Sequence, residues 1–573
     1  MSKKKKSKVR GRKLSASQLQ VEVLKLFKRH PKKRFNAKQV GGKLKIDNNK
    51  DSIQHALEKL VKEGQLFALE DYKFKAAKTE RSRGRGDRLT LQGRVDMTRQ
   101  GAGYVVVEGQ EQDIFIPPRR LNSALNGDIV RIEAWTPSGR RKPEGEVKEI
   151  IERASEHFIG VLHLSKKYGF VIPDKQDMHV DIYVELADIG EARNGDKVVV
   201  KITDWNQGID RAPEGKITST LGQVGSSDIE MKSILISAGF ELEFPEEVIA
   251  ESEQVDITIS EAEIAKRRDM RKTPTFTIDP SDAKDFDDAI SFEYLENGNL
   301  EIGVHIADVS HYVKPGSALD KEAYKRSTSV YLVDRVLPML PEKLSNGVCS
   351  LRPNEEKYTF SAVFTFDKDD KIIDRWFGKT VTYSDRRFTY NEAQEVMETG
   401  EGDFAAELKK VNQIAKKYRK QRFKKGSIDF SVDEVKFKLD EEGTPIDVYI
   451  KERKDAHMLV EEYMLLANKE VALYIDKKAK GVEIPFVYRV HDEPNPDKVA
   501  DLMKFAKQMG FEMNISTPDE IAKSFNKLTV SAQEDDALKL LAPLAIRTMA
   551  KAEYSADNIG HYGLGFSHYS HFT

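Results

Sequence analysis

A single cysteine, Cys349, stands in 573 residues. An intrachain disulfide is therefore impossible, and a structural zinc site built on several thiolates is excluded. Such usage fits a reducing compartment, and a cytoplasmic location is expected. No apolar run approaches the ~20 residues that a membrane helix needs. The N-terminus is basic from Lys3 onward and has no apolar h-region, so no signal peptide is expected. Net charge is nearly absent too, at −1, but that balance hides an asymmetry. Residues 1–88 hold 27 Lys and Arg against 9 Asp and Glu, a balance of +18, which leaves −19 for the rest. A basic front end on an acidic body suits a collector of polyanions, because phosphate contacts are made mostly by Lys and Arg.

The chain is 33% charged and 39% hydrophobic, a globular composition. Its length suggests roughly four domains. Residues 1–16, which include "MSKKKKSKVRGRKLS", read as a basic disordered arm. Within 17–78, Leu19, Val23, Leu26 and Phe27 recur at helical spacing. Ser52 then reads as the N-cap of "IQHALEKLVKEG", with Gly64 as its C′ residue. Short apolar segments follow, and helices before a small hairpin suggest a winged helix-turn-helix. Residues 79–90 read as a charged linker.

An internal repeat comes next. "GRVDMTRQGAGYVVVEGQEQDIFIPPRRLNSALNGDIVRIE" aligns with "GVLHLSKKYGFVIPDKQDMHVDIYVELADIGEARNGDKVVVKI". Gly103-Tyr104 meets Gly169-Phe170, Asp113–Ile116 meets Asp181–Val184, and Asn126-Gly127-Asp128 meets Asn194-Gly195-Asp196. Period-two alternation between turn signals predicts two small all-β units, over 91–150 and 151–222. They resemble cold-shock OB-fold barrels, which bind single-stranded RNA. Tyr104, Tyr168 and Phe170, with Lys166 and Lys167 nearby, either form a stacking platform for unpaired bases or fill barrel cores. For Phe115 and Tyr183 a core position is expected. Residues 223–262 read as a helical connector. From 263 to 573 strands and helices alternate, with "LEIGVHIADVSHYV" as a strand and "HMLVEEYMLLANKEVALYI" as a long helix. The expected fold class is multidomain α+β: a winged helix, two OB-fold barrels and a mixed α/β catalytic domain.

That last region holds the densest chemistry. "TIDPSDAKDFDDAISF" crowds Asp279, Asp282, Asp285, Asp287 and Asp288 between apolar segments. No EF-hand register fits, because Lys284 and Phe286, or Ala289 and Ile290, fall where ligands or glycine are required. Zinc finds no His or Cys nearby. Magnesium and manganese remain, and they favour a few carboxylates together with phosphate oxygens. Two such ions can stabilise both the attacking and the leaving oxygen of a phosphodiester. "FTI" ends on Asp279, Pro280 opens a turn, and "DDAISFEYL" restarts a strand with Ile290 and Phe292 on one face. The carboxylates would then converge on a strand–loop–strand corner; a solvated acidic loop is the alternative. RNA-binding barrels upstream of such a cluster point to an enzyme acting on RNA phosphodiesters.

"TIDPSDAKDFDDA" resembles the signature of the RNB family of exoribonucleases. The likeness continues through "VYLVDRVLPMLPEKLSNGVCSLRPNEEK", "MLVEEYMLLANKEVA", "YRVHDEPNPDK" and "HYGLGFSHYSHFT", and so covers nearly the whole chain. It implies processive 3′→5′ hydrolysis of single-stranded and structured RNA to nucleoside 5′-monophosphates, with magnesium. Asp279, Asp285, Asp287 and Asp288 match the metal-site aspartates, with Asp287 and Asp288 also counted as catalytic, whereas Asp282 has no counterpart. Tyr331 in "SVYLVD" matches a tyrosine packed near the 3′-terminal nucleotide, and Phe430 in "GSIDFS" an aromatic stacked opposite. Glu461 in "LVEEYM", counted as catalytic with Asp287 and Asp288, matches a glutamate near that nucleotide; Glu462 competes, and helical periodicity does not choose between them. The family continues "HFT" with "SPIRRY", whose arginine supports catalysis, and with a further OB-fold. A C-terminally truncated fragment is therefore expected, with a non-catalytic RNA-binding protein as the alternative function. A monomer is the default expectation.

Overall fold

The computed structural model describes residues 14, 16–30, 33–44, 46, 48–62, 65–68, 73–76, 88–98, 101–110, 112–136, 143–174, 178, 180–205, 212–429, 434–441, 443–479 and 484–573. The basic arm up to residue 13, Gly64, most of the expected linker and Phe430 lie outside them. The chain divides into two compact units, Met1–Thr220 and Leu221–Thr573.

The first unit opens with helices Ala16–Arg29, Ala37–Leu44 and Lys50–Lys62, followed by a hairpin of Leu66–Ala68 and Phe74–Ala76. Leu19, Val23, Leu26 and Phe27 share one core with Val40, Ile53, Leu57, Leu60, Leu66 and Phe74. Two local expectations change. Leu14, assigned to the arm, is buried in this core, its N–H and C=O both bonded to the Asn48 side chain at 2.8 and 2.7 Å. The third helix is capped by Asn49 rather than Ser52: Asn49 Oδ1 accepts the Ser52 N–H at 2.8 Å. Asn caps as well as Ser, and here it stands directly before the first helical residue.

Two closed five-stranded barrels follow. The first uses Leu89–Met97, Gly103–Val106, Ile114–Ile116, Ile129–Trp135 and Glu144–Glu152; the second uses His157–Leu164, Tyr168–Pro173, Ile182–Glu185, Asp196–Asp204 and Glu214–Gln223. The first strand therefore begins inside the expected linker. The repeated Asn-Gly-Asp is one turn built twice. Asn126 Oδ1 accepts the Met97 N–H at 2.9 Å, and Asn194 Oδ1 accepts the Leu164 N–H at 2.8 Å. Gly127 and Gly195 adopt φ of 87° and 89°, where a side chain would be strained. Asp128 and Asp196 accept the backbone N–H groups of Leu125 and Arg193 at 2.9 and 2.7 Å.

The second unit is built on a seven-stranded sheet. Its strands lie in the order Arg268–Met270, Ile372–Tyr383, Glu356–Phe366, Leu300–Ala307, Asp288–Tyr294, Thr275–Asp279, Arg386–Thr389. Two neighbouring pairs are parallel, Arg268–Met270 with Ile372–Tyr383 and Thr275–Asp279 with Arg386–Thr389. On one face Phe276, Ile278, Ile290, Phe292, Ile302, Val304 and Phe364 pack against helices Tyr390–Thr399, Ala405–Lys424 and Asp455–Lys478. Ile290 and Phe292 share that face as their spacing requires. Thr277, Ser291, His305 and Ser361 are buried away from that apolar cluster. His305 Nδ1 lies 2.6 Å from Ser361 Oγ, and complete burial takes the imidazole down to about 3, so this histidine serves the structure. The expected "LEIGVHIADVSHYV" strand stops at Ala307. Asp308 is buried between Arg267 and Lys379, at 2.8 and 3.1 Å, and the chain turns there into a helical turn, Val309–Tyr312. The connector helices Ser227–Ser237 and Glu246–Gln254 belong to this unit: Glu251 accepts the N–H groups of Ala318 and Leu319 at 2.8 and 3.1 Å. Among the described residues no helix is long and apolar enough to cross a membrane.

Candidate active site

Strand Thr275–Asp279 ends on Asp279 and its antiparallel neighbour begins on Asp288, so the intervening loop presents Asp285 and Asp287 at one corner of the sheet. Alternation along the strand sends Phe276 and Ile278 into the core and leaves Asp279 pointing the other way. On its other side the parallel edge strand sets Thr277 opposite Arg387 and Asp279 opposite Thr389.

Asp279 is 7% exposed and its Oδ2 has no hydrogen-bond partner. Burial lifts its carboxyl to about 6, helped by the charge of Asp285; the Thr277 hydroxyl and the Arg387 guanidinium oppose the rise. Asp288 reaches about 7, first through burial and then through the charges of Asp279 and Asp287. Asp287 is open to solvent on one side, yet desolvation by the protein packed around it is the first cause of its rise to about 6. The charges of Asp285 and Asp279 add to it. Asp285 accepts the hydroxyl of Tyr331 at 2.9 Å. Desolvation, that hydrogen bond and the nearby carboxylates push the phenol up to about 12. Asp282 is exposed on the surface.

The expected four-aspartate cage is not preformed. Among the described residues no three His, Cys, Asp or Glu side chains are grouped closely enough to hold an ion. Like charges without a counter-charge repel, which opposes convergence. The donor set itself suits a hard divalent cation: the donors are carboxylate oxygens, one of them is buried without a partner, and the groups raise one another's pKa.

The two glutamates separate by their partners. Glu462 is 5% exposed and is spent on Arg422 and, at 3.7 Å, on Arg419. The Glu461 side chain is 35% exposed, pairs with Arg453 and lies 3.6 Å from Arg422. Glu461 is therefore the more accessible of the two. Tyr390 and Arg387, which the sequence reading missed, also border the carboxylates. Burial and the charges of Asp288 and Asp279 push the Tyr390 phenol up to about 12. Its ring stacks on His457 at 4.0 Å, one helical turn before Glu461. No short motif announces these contacts, since they arise from the pairing of distant segments.

In the barrels, Tyr104 faces Phe115 and Phe170 faces Tyr183 directly across neighbouring strands, with ring centres 5.4 and 5.8 Å apart. Tyr168 joins the second pair and is 38% exposed. Phe115 and Tyr183 do not fill the cores as expected. Their neighbours Ile114, Ile116, Ile182 and Val184 point inward, so period-two alternation turns the rings out. Lys166 and Lys167 are exposed in the turn before Tyr168.

Residues 267–573 match the family model of the RNB domain. The chain belongs to the RNB family. Residues 93–150 match the Ribonuclease B OB domain and residues 170–245 a cold shock domain, in line with the two barrels. A Ribonuclease R of Thermotoga maritima is 36% identical over 544 residues, covering 92% of this chain and 73% of that protein. One from Aquifex aeolicus is 34% identical, covering 98% and 78%. Among solved structures, Mycoplasma genitalium RNase R in complex with ribose-methylated single-stranded RNA superposes with a TM-score of 0.78 at 25% identity, covering 84% of this chain and 76% of that one.

Proposed function

We propose that this RNB-family chain hydrolyses single-stranded and structured RNA processively from the 3′ end, releasing nucleoside 5′-monophosphates. Magnesium, or manganese in its place, is held by Asp279, Asp285, Asp287 and Asp288. The observation that carries this reading is the coupled carboxyl set: three raised carboxyls, with a tyrosine hydroxyl on the fourth. When bound, the cation offsets the carboxylate charge and polarises the scissile phosphodiester.

The chain's own residues supply position. Tyr331, tied to Asp285 through its hydroxyl and otherwise exposed, offers its ring to the last base. Phe430, outside the described residues, is the proposed opposite wall. Clamping an end base between two rings turns binding into orientation, the main contribution a protein can make to a displacement at phosphorus. Glu461 is proposed to contact the terminal nucleotide. Tyr104, Tyr168 and Phe170 stack unpaired bases, with Lys166 and Lys167 on the backbone. The protein is read as a cytoplasmic monomer.

With magnesium, a 5′-labelled single-stranded RNA is expected to pass from full length to a short labelled end product without a ladder of intermediates, while a uniformly labelled RNA releases mononucleotides, and Asp287→Asn is expected to stop both while RNA binding persists. Full activity in the Asn variant would remove the carboxylates from the reaction. Salt-sensitive binding by wild type with no mononucleotide release would make the chain a non-catalytic RNA-binding protein.

A further inference from the structure

The loop between Asp279 and Asp288 is held at both ends by side chains from distant parts of the chain. At one end Arg387 Nη2 donates to the carbonyl of Pro280 and, at 3.2 Å, to that of Ser281. Its guanidinium lies 5.4 Å from the centre of the Phe286 ring. At the other end the buried Ser350 hydroxyl accepts the Phe286 N–H at 3.0 Å and donates to the Lys284 carbonyl at 2.9 Å. The Leu351 N–H closes on the Phe286 carbonyl at 2.8 Å. Asp285 and Asp287 therefore sit on or beside backbone that is pinned from two directions.

A guanidinium next to carboxylates can act in two ways. As a charge it competes with a bound cation, so that removing it tightens cation binding. As a donor to backbone carbonyls it fixes the chain, so that removing it loosens cation binding. We propose that Arg387 is a positioning residue of the carboxylate site: its clamp on the Pro280–Ser281 corner, with Ser350 at the far end, holds Asp285 and Asp287 in register for a hard divalent cation. The parallel pairing of Thr277 with Arg387 and of Asp279 with Thr389 fixes the height from which the guanidinium reaches the loop. Its Nη2 is directed at two successive backbone carbonyls of the loop.

This inference rests on the reading of the four aspartates as the cation site. The full chain, without RNA, is titrated calorimetrically with Mn²⁺ and with Mg²⁺ as wild type, Arg387→Met, Arg387→Lys and Ser350→Ala. Loss of a residue that orients metal ligands weakens affinity by about tenfold or more. Arg387→Met and Ser350→Ala are expected to show that loss, and Arg387→Lys a smaller one. In turnover assays the apparent cation constant is expected to rise while the rate at saturating cation is retained. Binding by Arg387→Met as tight as wild type, or tighter, overturns the proposal. If that variant does not fold, Arg387→Lys decides, because it keeps the charge and replaces the planar guanidinium whose Nη2 reaches both carbonyls; unchanged affinity there overturns it equally. Absence of cation binding by wild type overturns instead the reading of the site itself.

Discussion

Asp279, Asp287 and Asp288 are held where burial and like charge lift all three above their ordinary range, whereas Tyr104, Phe115, Phe170 and Tyr183 lie partly open and uncharged. The first region gathers carboxyls whose charge a bound cation would offset, as proposed above. The second offers flat surface that every base can use and that makes no demand on its protonation. The proposed site for chemistry and the proposed site for capture thus differ less in residue number than in how much each destabilises the empty protein. The two barrels differ in turn: Tyr168 adds a third ring to the second, and the aligned residue in the first is Ala102.

The sharpest separation of the two regions is Asp288→Asn. Loss of charge at the carboxylate corner is expected to lower the hydrolytic rate by about a hundredfold or more, a magnitude common for removal of an electrostatic group. Filter binding of single-stranded RNA should stay unchanged, and a parallel loss of binding would erase the distinction. Next in size, Phe170→Ala should weaken RNA affinity about tenfold, since a stacked base is worth ~1–3 kcal/mol. The rate at saturating RNA should hold, and Tyr104→Ala should weaken binding less. Lys166→Ala with Lys167→Ala should flatten the dependence of log affinity on log salt by about 0.7 per lost phosphate contact on a single strand. An unchanged slope would place those lysines off the RNA.

The smallest effect concerns stability. Carboxyls raised in the folded state contribute stability that is present below their unfolded pKa and lost as pH climbs through the folded values, about 6 for Asp279 and Asp287 and about 7 for Asp288. In EDTA, the melting temperature of Asp288→Asn minus that of wild type should therefore grow from pH 5 to pH 8. Magnesium should shrink the difference at pH 8, and a difference flat with pH would deny the coupling.

Much of this arrangement was legible in local sequence. The aspartate run announced its own corner, because strand, proline turn and strand are all short-range signals. The repeat announced two barrels, because Asn-Gly-Asp turns and alternation are local too. What escaped depends on partners far along the chain. Periodicity could not separate Glu461 from Glu462; it is Arg422 and Arg419, on a different helix, that pair with Glu462 and leave Glu461 the more exposed of the two. The inward turn of Ile114 and Ile182 put Phe115 and Tyr183 outside, a question of face and not of hydrophobicity. Arg387 and Ser350 touch the aspartate loop only through strand pairing and long-range hydrogen bonds.

The doubled Asn-Gly-Asp turn also bears on how this molecule ages. An asparagine followed by glycine is the dipeptide most prone to cyclise and deamidate, through attack of the glycine nitrogen on the asparagine side chain. Here the Gly127 and Gly195 nitrogens are engaged with the carbonyls of Val95 and Leu162, both at 2.8 Å, and each amide oxygen is engaged as well. Intact barrels shelter their own weakest bonds, so isoaspartate at residue 126 or 194 would mark molecules whose barrel had opened in storage.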